Sequence, residues 1–311
     1  MIPAPSGQSQ RIRACAAGLV AATLFFGVVF PVVTAGCEGP RSHRGKIAKN
    51  QSRSTEEIVS VIQANAARLD RALWSSSLTV HAKFKDEKGH HHTYNLEGSL
   101  LFRKPKDLRI DLRPGLGDRV MELGSNDQEY WFWVEPEMHL MRWGRHRFAG
   151  MPCSEHISVR PDQLASLFGF EGLPGAENGF SGPVRRDSSH FDILLYTQTM
   201  NPANPGGAPM SRRYYVDRTA PYLVRMVNVY DGRGQIVVSA LFDNFRPAWE
   251  GGPLVPHDYS VIWPQEEGRF TMSAVRIEGR TKVSERAFVM PTRAELPRGV
   301  RDVIQVDADC K

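Results

Sequence analysis

Between Leu78 and Trp143 apolar residues recur at every second position, and this alternation constrains the fold more sharply than any other feature of the chain. Leu78, Val80, Ala82 and Phe84 alternate with Thr79, His81 and Lys83. After a turn at 85–89, Tyr94, Leu96, Gly98, Leu100 and Phe102 keep the same period, and Lys104-Pro105-Lys106 breaks it. Leu108, Ile110 and Leu112 then alternate with Arg109, Asp111 and Arg113. A period of two sends successive side chains to opposite faces of a strand, so one face is apolar and the other polar. Further strands are expected near 119–123, 128–134 and 138–143, with Asn126-Asp127 as a tight turn. Six strands with short connections in about 65 residues are the signature of an antiparallel meander.

The meander is interrupted at 144–190. Arg160-Pro161-Asp162 starts a short helix with Leu164, Leu167 and Phe168 on one side, and a Gly/Pro-rich loop follows from Gly172 to Pro183. Strands resume at 191–197, 212–216, 222–230, 235–242, 258–263 and 269–278, with Asp231-Gly232 marking a hairpin. Before the first strand, Ser54 and Glu57 form a capping box. Ile58, Ile62, Ala66, Leu69 and Leu73 then recur at helical spacing, predicting a helix from Ser54 to Ser75. Residues 291–311, with Pro291 and Pro297, are expected to be irregular. The fold class is mainly β (α+β), with about 11–12 antiparallel strands. A flat sheet of that size leaves long edges exposed, so a closed or strongly curled sheet is expected. Its interior is too large for strand side chains alone. It either encloses an apolar ligand cavity or is filled by helices.

The first 36 residues have a different character. Arg11 and Arg13 precede an uncharged run from Ala14 to Gly36 that contains Leu19, Leu24, Phe25, Phe26 and Phe30. The run ends in Thr34-Ala35-Gly36-Cys37, with small residues where a signal peptidase would cut. Cys37 after Ala-Gly resembles the lipobox of bacterial lipoproteins, although Thr34 stands where Leu is usual. The resemblance implies 1–36 as a signal peptide and a covalent lipid on Cys37. An uncleaved membrane helix is the other reading, since about 20 apolar residues span a bilayer. Residues 37–53 read as a flexible tether, polar and basic. Two of the chain's +5 formal charges lie in the signal. The remaining basic residues are dispersed, which argues against a nucleic-acid partner. Outside the signal and the proposed lipid site, only Cys153 and Cys310 remain, and in an oxidising compartment they are expected to pair and pin the C-terminal tail.

Within 73–143, Leu96-Glu97-Gly98-Ser99-Leu100 leads into Arg103-Lys104-Pro105, then Leu108-Arg109-Ile110, Leu123-Gly124-Ser125-Asn126 and Tyr130-Trp131-Phe132-Trp133. A second block holds Tyr214-Tyr215-Val216-Asp217, Leu223-Val224-Arg225, Asp231-Gly232 and Leu254-Val255-Pro256. The order of these segments resembles the LolA/LolB-type lipoprotein-sorting proteins. The resemblance implies a half-open antiparallel β-barrel over 54–290, with helices capping an apolar cavity for lipoprotein acyl chains. It also implies the envelope of a bacterium, lipid-anchored and facing the periplasm, at either the outer or the inner membrane. The length, the 144–190 insertion and the tail depart from that family, and its lid-closing arginine and membrane-inserting leucine are not assigned here.

The candidate cavity-lining residues are Leu96, Leu100, Phe102, Leu108, Ile110, Leu112, Trp131 and Trp133. An ordinary core would show the same pattern. For the aromatic run, either Tyr130 and Phe132 or Trp131 and Trp133 face the cavity. His90-His91-His92 offers at most two ligands on one strand face, too few for a zinc site, and is read as a solvated hairpin end. There is no Gly-x-Ser-x-Gly elbow, no His-Glu-x-x-His and no phosphate loop. The expected function is therefore non-enzymatic, without metal or cofactor beyond the covalent lipid. The chain would be a monomeric binding protein for membrane lipids or lipoprotein acyl chains, in sorting or transfer. The alternatives are a structural or interaction lipoprotein with a filled barrel, or a hydrolase with an unrecognised site.

Overall fold

The computed structural model describes residues 53–311, apart from 86–87, 136–138, 150, 152, 155–160, 169, 171, 177–178 and 199–210. The signal segment, the tether and Cys37 lie outside the described residues. Helix α1 (Thr55–Ala67) is capped by Ser54, whose side chain accepts from the Glu57 amide. Its first turn carries Glu56 and Glu57, the charge that a helix N-terminus favours. Ile58 and Ile62 are its buried residues.

The first half of the sheet comprises β1 (Ala72–Lys85), β2 (His91–Arg103), β3 (Asp107–Arg113), β4 (Met121–Ser125), β5 (Glu129–Val134) and β6 (Leu140–Arg145). Helix α2 (Pro161–Leu167) follows a single 3-10 turn at His146–Phe148. The second half comprises β7 (Phe180–Asp187), β8 (Phe191–Gln198), β9 (Ser211–Asp217), β10 (Val224–Tyr230) and β11 (Ile236–Asp243), then β14 (Asp258–Trp263) and β15 (Gly268–Ala274). β12 (Arg246–Pro247) and β13 (Leu254–Val255) form a separate two-stranded ribbon. β16 (Glu278–Arg280) pairs with β1, and β17 (Asp302–Gln305) pairs with β6.

The order is β17-β6-β5-β4-β3-β2-β1-β15-β14-β11-β10-β9-β8-β7. β1 and β15 join the two meanders, with Leu78 opposite Ala274 and Ala82 opposite Phe270. Every pairing is antiparallel except β17 on β6. β17 and β7 stay at opposite edges, so the curled sheet remains a half-open barrel. Its inward faces share one core with α1 and α2, which includes Phe84, Leu100, Ile110, Phe132, Val216, Phe242, Val261 and Met272.

Several expectations differ from this architecture. The sheet system has 17 strands among the described residues, against the 11 or 12 expected. Four of the additional ones are two to four residues long, too short to show a period. β7 falls within the expected 144–190 insertion, hidden by Gly182 and Pro183. The tail is not wholly irregular, because β17 lies in it. Helix α1 ends at Ala67, not Ser75. Leu73 belongs to β1, where it pairs with Phe102 on one side and Gly279 on the other. Pairing on both edges outweighs the weak helical preference of residues 72–75. A register shift between Ser75 and Leu78 breaks the period that would otherwise announce the strand.

Candidate functional site

The inward wall of β2 and β3 is built by pairing. Leu100 stands opposite Ile110, Phe102 opposite Leu108, and Leu112 opposite Gly98. Leu100, Phe102, Leu108, Ile110 and Leu112 have no exposed surface, and Leu96 is buried one step along β2. The structure thus brings six of the eight candidate lining residues onto one apolar wall.

Trp131 and Trp133 are a correction: they lie on the opposite, outer face. Tyr130, Phe132 and Val134 point inward with the main core. Trp131 and Trp133 pack with Met141, Leu296 and Val300, flanked by Trp143 and Met290. The reason is register: Trp131 faces Trp143 and Trp133 faces Met141 across β5 and β6. The outer face accepts Trp131 because its neighbour on β4 is Gly124, where an added Cβ would come within 2.1 Å of the indole. Its Nε1 donates to the buried Glu122 at 2.7 Å. Gly124 and Glu122, both on the polar phase of β4, were the sequence signals for that face.

What covers the inner wall is a short segment. Leu164, Leu167, Phe168, Phe170 and Leu173 are all buried in the main core. Phe170 packs on Phe102 with ring centroids 4.6 Å apart, and Phe168 on Tyr259 at 4.9 Å. One aromatic knot therefore ties β2, in the first meander, to β14, in the second. The Tyr259 hydroxyl donates to the Pro256 carbonyl at 2.6 Å, and burial pushes its pKa well up, so the ring is a neutral donor at every physiological pH. Hydrogen bonds add to this apolar contact. Gln63 donates to the Leu173 carbonyl at 2.9 Å, and the Trp263 indole donates to Gln163 at 3.3 Å. Gly172, at φ +82°, lets the chain approach α1, where a Cβ would come within 2.5 Å of Gln63. α1 is fixed by Asn65, which accepts from the Leu254 amide and donates to its carbonyl.

Cys153 and Cys310 are joined by a disulfide with Cα atoms 5.3 Å apart. This bond ties the chain just before α2 to the C-terminal tail. At that tail, Asp307 is buried and accepts from the Arg145 amide and Nε, which holds its carboxyl below the usual range despite burial. His91 lies 3.2 Å from Glu267, which also receives Lys85 at 3.1 Å. Among the described residues no group of three or more His, Cys, Asp or Glu is placed to hold a metal, and no helix is long and apolar enough to cross a membrane.

One residue escaped the sequence reading. Leu116 is fully exposed at the tip of the β3–β4 turn. The Gly117 amide closes that turn on the Pro114 carbonyl at 2.8 Å. The signal was a single leucine set between Gly115 and Gly117, where no strand or helix could bury it.

The geometry defines a class: a half-open β-barrel whose apolar inner wall is covered by a short aromatic segment. No family model matches the chain, and no curated protein matches it. Among solved structures, it is similar to an outer membrane lipoprotein-sorting-type protein domain from Vibrio parahaemolyticus, at 15% identity over 76% of this chain and 97% of that one, TM-score 0.46. It is also similar to a DUF1329 family protein from Desulfovibrio piger, at 13% identity over 75% and 96%, TM-score 0.48. A third is a LolA superfamily protein from Nitrosomonas europaea, at 9% identity over 77% and 99%, TM-score 0.45. At these values the function follows from the chain's own geometry or not at all.

Proposed function

We propose that the chain is a non-enzymatic, membrane-tethered binding protein for acyl chains, carried by membrane lipids or by lipoproteins, in a bacterial envelope. The observation that supports it is the apolar wall of β2 and β3, continuous with the inner face of the whole sheet, and covered by 161–173 instead of by closure of the barrel. Displacing that segment would uncover a ready-made apolar surface. An acyl chain can replace its contacts without any directional chemistry, at roughly 0.8 kcal/mol per buried methylene. Lipid on Cys37 would keep the protein at its bilayer, and Leu116 would touch the acyl region there.

The full-length chain, purified in detergent, should bind a fluorescent fatty acid saturably. Phe170→Ala should tighten that binding several-fold, by vacating space beside Phe102. Leu116→Glu should leave affinity unchanged but slow delivery of the fatty acid to vesicles. No saturable binding in either the parent chain or Phe170→Ala would sink the reading. The second reading, a barrel filled by its own side chains, is favoured by the complete burial of Leu100, Phe102, Leu108 and Ile110 beneath Phe168 and Phe170. It predicts that Phe170→Ala destabilises the domain and acquires no ligand.

A further inference from the structure

A second site lies where β2 gives way to β3, at the other end of β3 from the turn that carries Leu116, and it is chemically unlike the acyl wall. Leu69 to Ala72, Arg103, Lys104, 280–283 and Glu285 line a cleft of about 480 Å³. Five of its lining residues are cationic (Arg71, Arg103, Lys104, Arg280, Lys282) and two are acidic (Asp70, Glu285). Two of the cations are committed. Arg103 engages Asp107 and Glu285 through all three of its nitrogens, at 2.5–2.8 Å. Lys104 donates to the Ala66 carbonyl at the C-terminal end of α1, at 2.6 Å.

The other three are held differently. The Arg280 guanidinium lies 4.0 Å from the centroid of the Trp74 ring, and Arg71 lies 5.0 Å from that of Trp249. Stacking occupies the face of a guanidinium and leaves its N–H edge for in-plane acceptors. The carboxylates near them are poorly engaged. Asp70 is 3.7 Å from Arg71, and Glu278 is 3.7 Å from Arg280 but 2.9 Å from Arg276. Lys282 is exposed at the rim. Gly279 holds the arrangement together, because an added Cβ would meet Trp249 at 2.4 Å and the Arg71 side chain at 3.0 Å.

We infer that this cleft binds a phosphate-bearing anion, with Arg280, Arg71 and Lys282 as its donors. A tetrahedral oxyanion takes bidentate hydrogen bonds from a planar guanidinium, and stacking on indoles has already ordered two of them. The source of the phosphate is either a free phosphate ion or the head group of a phospholipid. The full-length chain in an uncharged detergent can be titrated with inorganic phosphate, and separately with soluble dihexanoyl phosphatidylglycerol. Dihexanoylglycerol and sodium chloride of equal ionic strength serve as references, and Trp74 beneath Arg280 contributes a tryptophan signal. Saturable binding above both references is expected, and Arg280→Gln with Lys282→Gln should weaken it at least tenfold. Arg233→Gln, exposed in the turn between β10 and β11, should change it less than twofold. Binding of inorganic phosphate alone supports the site and assigns it to free phosphate; tighter binding of the lipid supports it and assigns the head group. Circular dichroism checks that the double variant is folded. A response no larger than that of chloride, or one the double variant shares with the parent, overturns the proposal.

Discussion

Glu122 has no exposed surface, yet two guanidinium groups and an indole converge on it. Burial pushes its carboxyl up, while Arg109, Trp131 and Arg119 oppose that shift. Such a site is weak evidence for stability while intact and costly to break from one side. Glu122→Ala leaves Arg109 and Arg119 with Asp111 as their remaining carboxylate and leaves the Trp131 Nε1–H without its acceptor. It should destabilise the domain by about 1–3 kcal/mol in urea unfolding. His257 makes a different prediction. It is buried, one ring nitrogen meets the Ala274 carbonyl at 3.0 Å, and burial lowers its pKa. The unfolded chain therefore takes up a proton near pH ~6.5 that the folded chain resists. The contribution of His257 to stability is present above that pH and is lost as the pH falls toward its folded value. His257→Asn should flatten that part of the stability profile between pH 7.5 and 5, measured against the parent chain. A parallel profile in the variant would show that His257 plays no part in it.

At the scale of elements, the segment 161–173 decides whether the barrel is a container or a solid body. It touches the sheet through apolar rings, with Phe170 on Phe102 and Phe168 on Tyr259, and is also tied by the Gln63 amide on the Leu173 carbonyl and the Trp263 indole on Gln163. The disulfide limits how far it can move, because Cys153 is eight residues before Pro161. Reduction, or Cys153→Ser with Cys310→Ser, should lower stability by about 2–5 kcal/mol. Amide exchange should rise first in 161–173 and in β17. Protection unchanged in both segments would show that the disulfide does not hold 161–173 in place. The two helices illustrate how far a sequence can be read. The capping box at Ser54 and the Pro161 start are local signals, and both helices begin where they indicate. The end of α1 was not legible. Leu69 and Leu73 continue its helical spacing, and only the partners Phe102 and Gly279 place Leu73 in a strand.

At the scale of the molecule, the half-open sheet leaves β7 and β17 as edges and sends the β3–β4 turn into solvent with Leu116 at its tip. Cys37→Ala should release the full-length protein from membranes, as read by fractionation and by loss of the lipid mass. Retention with unshifted mass would instead favour an uncleaved apolar helix. The apolar wall was legible in advance because alternation is a local property: once Gly98, Leu100 and Phe102 share a face, their pairing with Leu112, Ile110 and Leu108 keeps that face through the sheet. The two tryptophans of β5 were not, because both faces of that strand are apolar and its sequence has no phase. What lies over each face comes from far away in the chain. Leu296 and Val300 arrive more than 150 residues after Trp131, and Phe170 reaches Phe102 across the intervening strands. By itself, the sequence determined most of the longer strands, the inward phase of β1 to β3 and the starts of both helices, since these depend on periods and caps spanning a few residues. Only the tertiary structure decided which apolar face is interior wall and which is sealed by the tail, that a short aromatic segment covers the wall, and that scattered basic residues converge on one cleft. Those outcomes depend on long-range packing, which no local pattern encodes.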